Sequence, residues 1–81
     1  MSDETIEFSF ETEQEREIKK ILIVVYNALR EKGYNPINQI VGYVLSGDPT
    51  YITTHHNART LIRRLDGYDI LQVLLKNFFK E

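Results

Sequence analysis

Between Gly33 and Ile52 the chain carries a single charged side chain, Asp48, although charged residues make up 27% of the whole. Twenty residues that nearly neutral must be covered in water, by the chain itself or by another molecule. The stretch is also punctuated like a helix. Asn35 can accept orphan N–H groups at a start where Pro36 loses nothing. Ile37, Ile40, Val41, Val44 and Leu45 then fall at i, i+3, i+4, i+7 and i+8, and Gly47 offers a left-handed stop before the Asp48-Pro49 turn. Gly42 in the middle costs about 1 kcal/mol against alanine. We read it as a point where another helix backbone crosses closely.

The flanking segments carry the same period. From about Glu13, residues Ile18, Ile21, Leu22, Val25, Tyr26 and Leu29 recur at helical spacing, with acids ahead and Arg30 and Lys32 before Gly33. The β-branched run would also suit a buried strand, but its charged flanks and glycine stop favour a helix. Ile23, Val24 and Ala28 lie off its main stripe, so it is expected to meet two surfaces, one of them in another subunit. A third helix is expected from Thr53 or Thr54 to about Asp66. It would turn Ala58, Leu61, Ile62 and Leu65 inward and stack His55, Arg59 and Arg63 on another face, with Gly67 as punctuation. The last segment, "YDILQVLLKNFFK", forms a broad apolar helix with Lys76 and Lys80 near its negative pole. The expected fold is all-α: a compact bundle of about four helices over residues 13–81, preceded by a flexible acidic arm, residues 1–12.

A core drawn from 81 residues leaves a thin surplus over chain entropy. There is no cysteine, which removes disulfides and thiolate-held zinc and leaves self-association as the remaining source of burial. The apolar run "ILIVV" is too short to span a bilayer, and the N-terminus is acidic where a secretory signal would be basic, so a cytoplasmic protein is expected and no membrane partner. Residues 1–17 hold seven acids against one arginine, net −6, which leaves +4 for the rest of a chain whose total is −2. That division suits an interaction tail on a mildly basic body. Ser2, Thr5, Ser9 and Thr12 place hydroxyls among those acids, within reach of a kinase.

Catalytic chemistry finds little support. On a helix the adjacent His55 and His56 would point about 100° apart, and no ligand follows at i+3 or i+4, so no metal site is expected. Ser46 lacks a nearby histidine and a nucleophile elbow, and is expected to cap. "SGDP" lacks the Lys-Ser/Thr ending of a phosphate loop, and no cofactor is expected. Arg59, Arg63 and Arg64 have three readings: a solvated helix face, the reading helix of a DNA-binding helix-turn-helix, or an acceptor for acidic or phosphorylated groups. A pI of 5.7 and the acidic arm weigh against nucleic acid.

The strings "EKGYNPINQIVGYVLSGDPTYI" and "ARTLIRRL", together with "DETI" in the arm, resemble the IreB/ReoM family of small regulatory phosphoproteins of Gram-positive bacteria. The resemblance implies a non-enzymatic, helical, cytosolic homodimer. It implies phosphorylation on an N-terminal threonine by a PASTA-domain serine/threonine kinase, reversed by a partner phosphatase. It also implies influence on peptidoglycan synthesis and cephalosporin tolerance, through Clp-protease turnover of the enolpyruvyl transferase that starts the pathway. By position the phosphoacceptor falls on Thr5, and Ser2 stands where some members have a second threonine. Arg59, Arg63 and Arg64 match a surface implicated in partner engagement. The chain departs from the family pattern at Thr50, where alanine is usual, and over Thr53 to His56, where proline and a basic residue are common. Beside the resemblance, the neutral block suits a dimer interface built on Ile37, Ile40, Val41, Gly42, Tyr43 and Val44. There Tyr34, Tyr43 and Tyr51 would bury rings and leave hydroxyls wet.

Overall fold

The computed structural model describes residues 11–81. The expected phosphoacceptors Thr5 and Ser2, and nearly all of the expected arm, lie outside the described residues. Among the described residues four α-helices form the fold: α1 Glu13–Glu31, α2 Pro36–Ser46, α3 Ala58–Ile62 and α4 Gly67–Phe79. Two 3₁₀ turns, Pro49–Tyr51 and His55–Asn57, link α2 to α3, and no strand occurs among the described residues.

α1 starts where side chains satisfy its first amides. Thr12 Oγ1 accepts from the Glu15 N–H at 3.0 Å while Glu15 Oε1 accepts from the Thr12 N–H at 3.1 Å, a reciprocal capping box. Thr12, read from sequence as one of the reachable hydroxyls of the arm, is therefore the helix cap. Ile18, Ile21, Val25, Ala28 and Leu29 are buried along one face, against α2, α3 and α4. Ala28, placed off the stripe by spacing alone, belongs to the core, whereas Ile23 is 62% exposed.

α2 opens on Asn35, whose Oδ1 accepts from the Asn38 N–H at 3.1 Å, and closes on left-handed Gly47, whose N–H reaches the Tyr43 carbonyl at 2.7 Å. Ser46 has the capping role expected of it, donating to Gly42 O at 2.7 Å and accepting from the Asp48 N–H at 3.0 Å. Two expectations for this helix are corrected. Tyr43, expected at a subunit interface with a wet hydroxyl, is buried, and its hydroxyl donates to the carbonyls of Ile62 and Leu65 at 3.1 and 3.0 Å. Those carbonyls lie at and beyond the end of α3, where the hydroxyl adds to the Leu65 N–H that already reaches the Ile62 carbonyl at 2.9 Å. Gly42 faces no helix backbone: a methyl group there would overlap the Tyr51 ring, with Cγ 2.9 Å away. The close backbone crossing occurs instead at Gly67, where a Cβ would lie 2.9 Å from the Val44 carbonyl oxygen.

The segment 53–66 departs most from its expected form. In place of one helix to Asp66 there is a 3₁₀ turn and five residues of α-helix, because His56 and Asn57 adopt left-handed φ values of 54° and 61°. Thr53 ties the segment down, its Oγ1 accepting from the His55 N–H at 3.2 Å and its carbonyl from the Arg59 N–H at 3.0 Å. Ile52, just before it, is fully buried, which for an isoleucine contributes about 1.5–3 kcal/mol. Asp66 caps α4, accepting from the Tyr68 N–H at 3.3 Å, so Gly67 begins a helix where the spacing suggested an end. Ile52, Ala58, Ile62 and Ile70 join Ile21, Val25, Ala28, Leu29 and Tyr43 in one core.

Candidate functional site

α2 turns only part of its apolar spacing inward. Ile40 and Val44 pack against the core beside Tyr43, whereas Ile37, Val41 and Leu45, at i, i+4 and i+8, point away from it. Ile37 is 60% and Val41 48% exposed. Together with Leu22, Ile23 and Tyr26 of α1 and Leu74 of α4 they line a groove of about 350 Å³ whose surface is almost wholly apolar. α4 adds Leu71, Leu75, Phe78 and Phe79 as further exposed apolar side chains. Of the six residues expected at an interface, Ile37, Ile40 and Val41 line this groove, and Gly42, Tyr43 and Val44 do not. Tyr26, which the spacing set on the main stripe of α1, and Leu74, from the broad apolar last helix, belong to the groove as well.

The three arginines are held differently from one another. Arg59, half-buried, donates from Nε to the Ile52 carbonyl at 2.8 Å and so braces the turn before α3. Arg64 pairs with Glu17 of α1 at 3.3 Å. Arg63 is exposed at the end of α3. The stack of His55, Arg59 and Arg63 is not formed, since the left-handed residues at 56 and 57 separate the histidines from the helix. A helix of five residues is also only about 7.5 Å long. That leaves little for a helix-turn-helix to place in a major groove.

A polar cluster appears that sequence spacing gave no means to find. Glu31, in the last turn of α1, meets both histidines: Oε1 is 2.8 Å from His55 Nε2 and 3.2 Å from His56 Nε2. The imidazole rings lie 4.0 Å apart between centroids. These hydrogen bonds, from His55 first and then His56, hold the Glu31 carboxyl below the usual carboxylate range. Elsewhere Asp48 is lowered by the Thr50 N–H and hydroxyl, and the Tyr43 phenol is raised by burial and then by the nearby Asp66 charge.

Comparison with known proteins places these features in context. A family model described as IreB regulatory phosphoprotein matches residues 3–80. The chain is 54% identical over 78 residues to a UPF0297 protein of Ruminiclostridium cellulolyticum, covering 96% of this chain and 89% of that one. It is 51% identical over 80 residues to a UPF0297 protein of Acetivibrio thermocellus, covering 99% and 89% respectively.

Proposed function

Because the chain belongs to the IreB family of regulatory phosphoproteins, we propose that it acts as a dimeric cytoplasmic regulator. In this reading a PASTA-domain serine/threonine kinase phosphorylates Thr5, and a partner phosphatase resets it. The output is control of peptidoglycan synthesis and cephalosporin tolerance, through Clp-protease turnover of the enolpyruvyl transferase that opens the pathway. The role is adaptor-like and asks for no catalysis or cofactor from the chain itself.

The observation that carries this reading is the reach of the family match, which begins at residue 3 and so takes in the "DETI" segment together with the helical body. Phosphorylation of Thr5 adds roughly −1.5 to −2 charges between Glu4 and Glu7. Arg63, with Arg59 and Arg64 beside it, is the basic surface on which such a group, or an acidic partner, is received. The groove of α1, α2 and α4 receives a second copy of the chain. Ile37 and Val41 are too exposed, and too close to Ile23 and Leu74, to be explained as isolated surface residues.

The test is a kinase reaction followed by capture. The cognate kinase should label the intact chain but not Thr5→Ala, and phosphorylated and unmodified protein should retain different amounts of transferase and Clp components. Arg63→Ala should weaken capture without changing labelling. Labelling that persists undiminished in Thr5→Ala, or capture indifferent to phosphorylation, defeats the reading.

A further inference from the structure

The Glu31, His55 and His56 cluster carries an inference separate from dimerisation and phosphorylation. Its three potential ligand atoms, one from each side chain, all lie within 4.8 Å of one another. Two are imidazole nitrogens and one is a carboxylate oxygen, the donor set that suits zinc and neighbouring late divalent metals rather than magnesium or calcium. We propose that Glu31, His55 and His56 form a surface binding site for Zn²⁺, with the fourth position open to water.

The two separations at Glu31 match the edges of a tetrahedral site, and the third pair of ligand atoms lies within 4.8 Å. Bonds of about 2.0–2.1 Å from each ligand put neighbouring ligand atoms about 3.3 Å apart in a tetrahedron. The two Glu31–histidine separations, 2.8 and 3.2 Å, are close to that edge, so small side-chain rotations open the space for the ion. Both histidines present Nε2 toward Glu31, and a neutral imidazole can offer that nitrogen's lone pair once its proton is carried on Nδ1. The local backbone makes this possible. Two adjacent histidines on a regular helix diverge by about 100°, but the left-handed φ of 54° at His56 brings the second ring beside the first. The ligands come from the C-terminal turn of α1 and from the turn before α3, elements 24 and 25 residues apart, so a bound ion would tie the end of α1 to the 53–57 segment. The cluster is exposed to half-buried and open to solvent, which gives an ion a direct way in.

The experiment uses the full chain, stripped of metal with a chelator and titrated with zinc chloride by calorimetry. One equivalent per chain should bind saturably. Glu31→Gln, His55→Ala and His56→Asn should each weaken binding by about tenfold or more, as loss of a ligand does at least as severely as loss of the groups that orient one. Asparagine tolerates the left-handed backbone at position 56, so His56→Asn tests the ligand without testing the turn, and circular dichroism confirms that it is folded. In the wild type, long-range histidine ¹H–¹⁵N spectra should show both Nε2 resonances shifting with zinc, and magnesium should neither compete nor shift them. Absence of saturable binding overturns the proposal. So does zinc affinity unchanged by all three substitutions, which would assign the ion to the acids of residues 3–17.

Discussion

The two sides of α2 are built from similar residues and do opposite things. On one side Ile40, Tyr43 and Val44 pack into the chain's own core, where the Tyr43 hydroxyl serves two carbonyls and Gly67 lets the α4 backbone approach Val44. On the other, Ile37, Val41 and Leu45 stay largely exposed among the described residues. In so small a body the core covers one side of this eleven-residue helix, and in the proposed dimer the other side is the one that meets a partner. The inward side should therefore govern whether the protomer folds, and the outward side how it associates.

The largest effect should come from breaking the inward side. Tyr43→Ala removes a buried ring and should cost about 3–5 kcal/mol of folding stability, read by urea denaturation. Tyr43→Phe keeps the ring and should cost about 1 kcal/mol, the lower end for a lost buried hydrogen bond, because the Ile62 carbonyl still accepts from the Leu65 N–H at 2.9 Å. Next come the glycines. Gly67→Ala sets a methyl against the backbone carbonyl of Val44 and should destabilise by about 1–3 kcal/mol. Gly42→Ala overlaps the half-exposed Tyr51 ring, a side chain rather than backbone, while the helix gains alanine's propensity, so it should destabilise by less than Gly67→Ala, about 1 kcal/mol or below. Equal costs at the two glycines would show that the crossing has been misplaced.

The smallest effect concerns the electrostatic tie between the ends of the long helices. Lys76 of α4 pairs with Glu15 of α1 at 2.6 Å, and this hydrogen bond is the main reason the Glu15 carboxyl is lowered, followed by the Thr12 amide. A carboxyl lowered in the folded state contributes stability above its unfolded range and loses that contribution as pH falls through the carboxylate range. Stability should therefore decline slightly on acidification over that interval. Lys76→Met should flatten the decline at Glu15, measured as the difference in urea midpoint across a pH series. A Lys76→Met curve parallel to the wild type would remove the pair from the account.

The same contrast explains what was legible in the sequence. The start and stop of α2 and the core stripe of α1 could be read because caps and period are local properties. Which side of α2 faces inward could not, since Ile37 and Ile40 are the same residue type at equivalent spacings. The choice is made by the Tyr43 hydroxyl finding carbonyls some 20 residues away, at the end of α3. The turn at His56 and Asn57 was hidden for a different reason. No glycine marks it, and the residues that hold it in place are Thr53 before it and Glu31 on another helix. Adjacent histidines therefore read as diverging, and their meeting with Glu31 depends on contacts between distant parts of the chain.

The central claim is that the outward side of α2, with Ile23 and Leu74 beside it, joins two copies of the chain. Sedimentation velocity at micromolar concentration, comparing wild type with Ile37→Asp and Val41→Asp, tests it most directly. The wild type should sediment as a dimer, and both variants as folded monomers whose helical content is unchanged. A monomeric wild type, or a dimer that persists with aspartate at both positions, would contradict it.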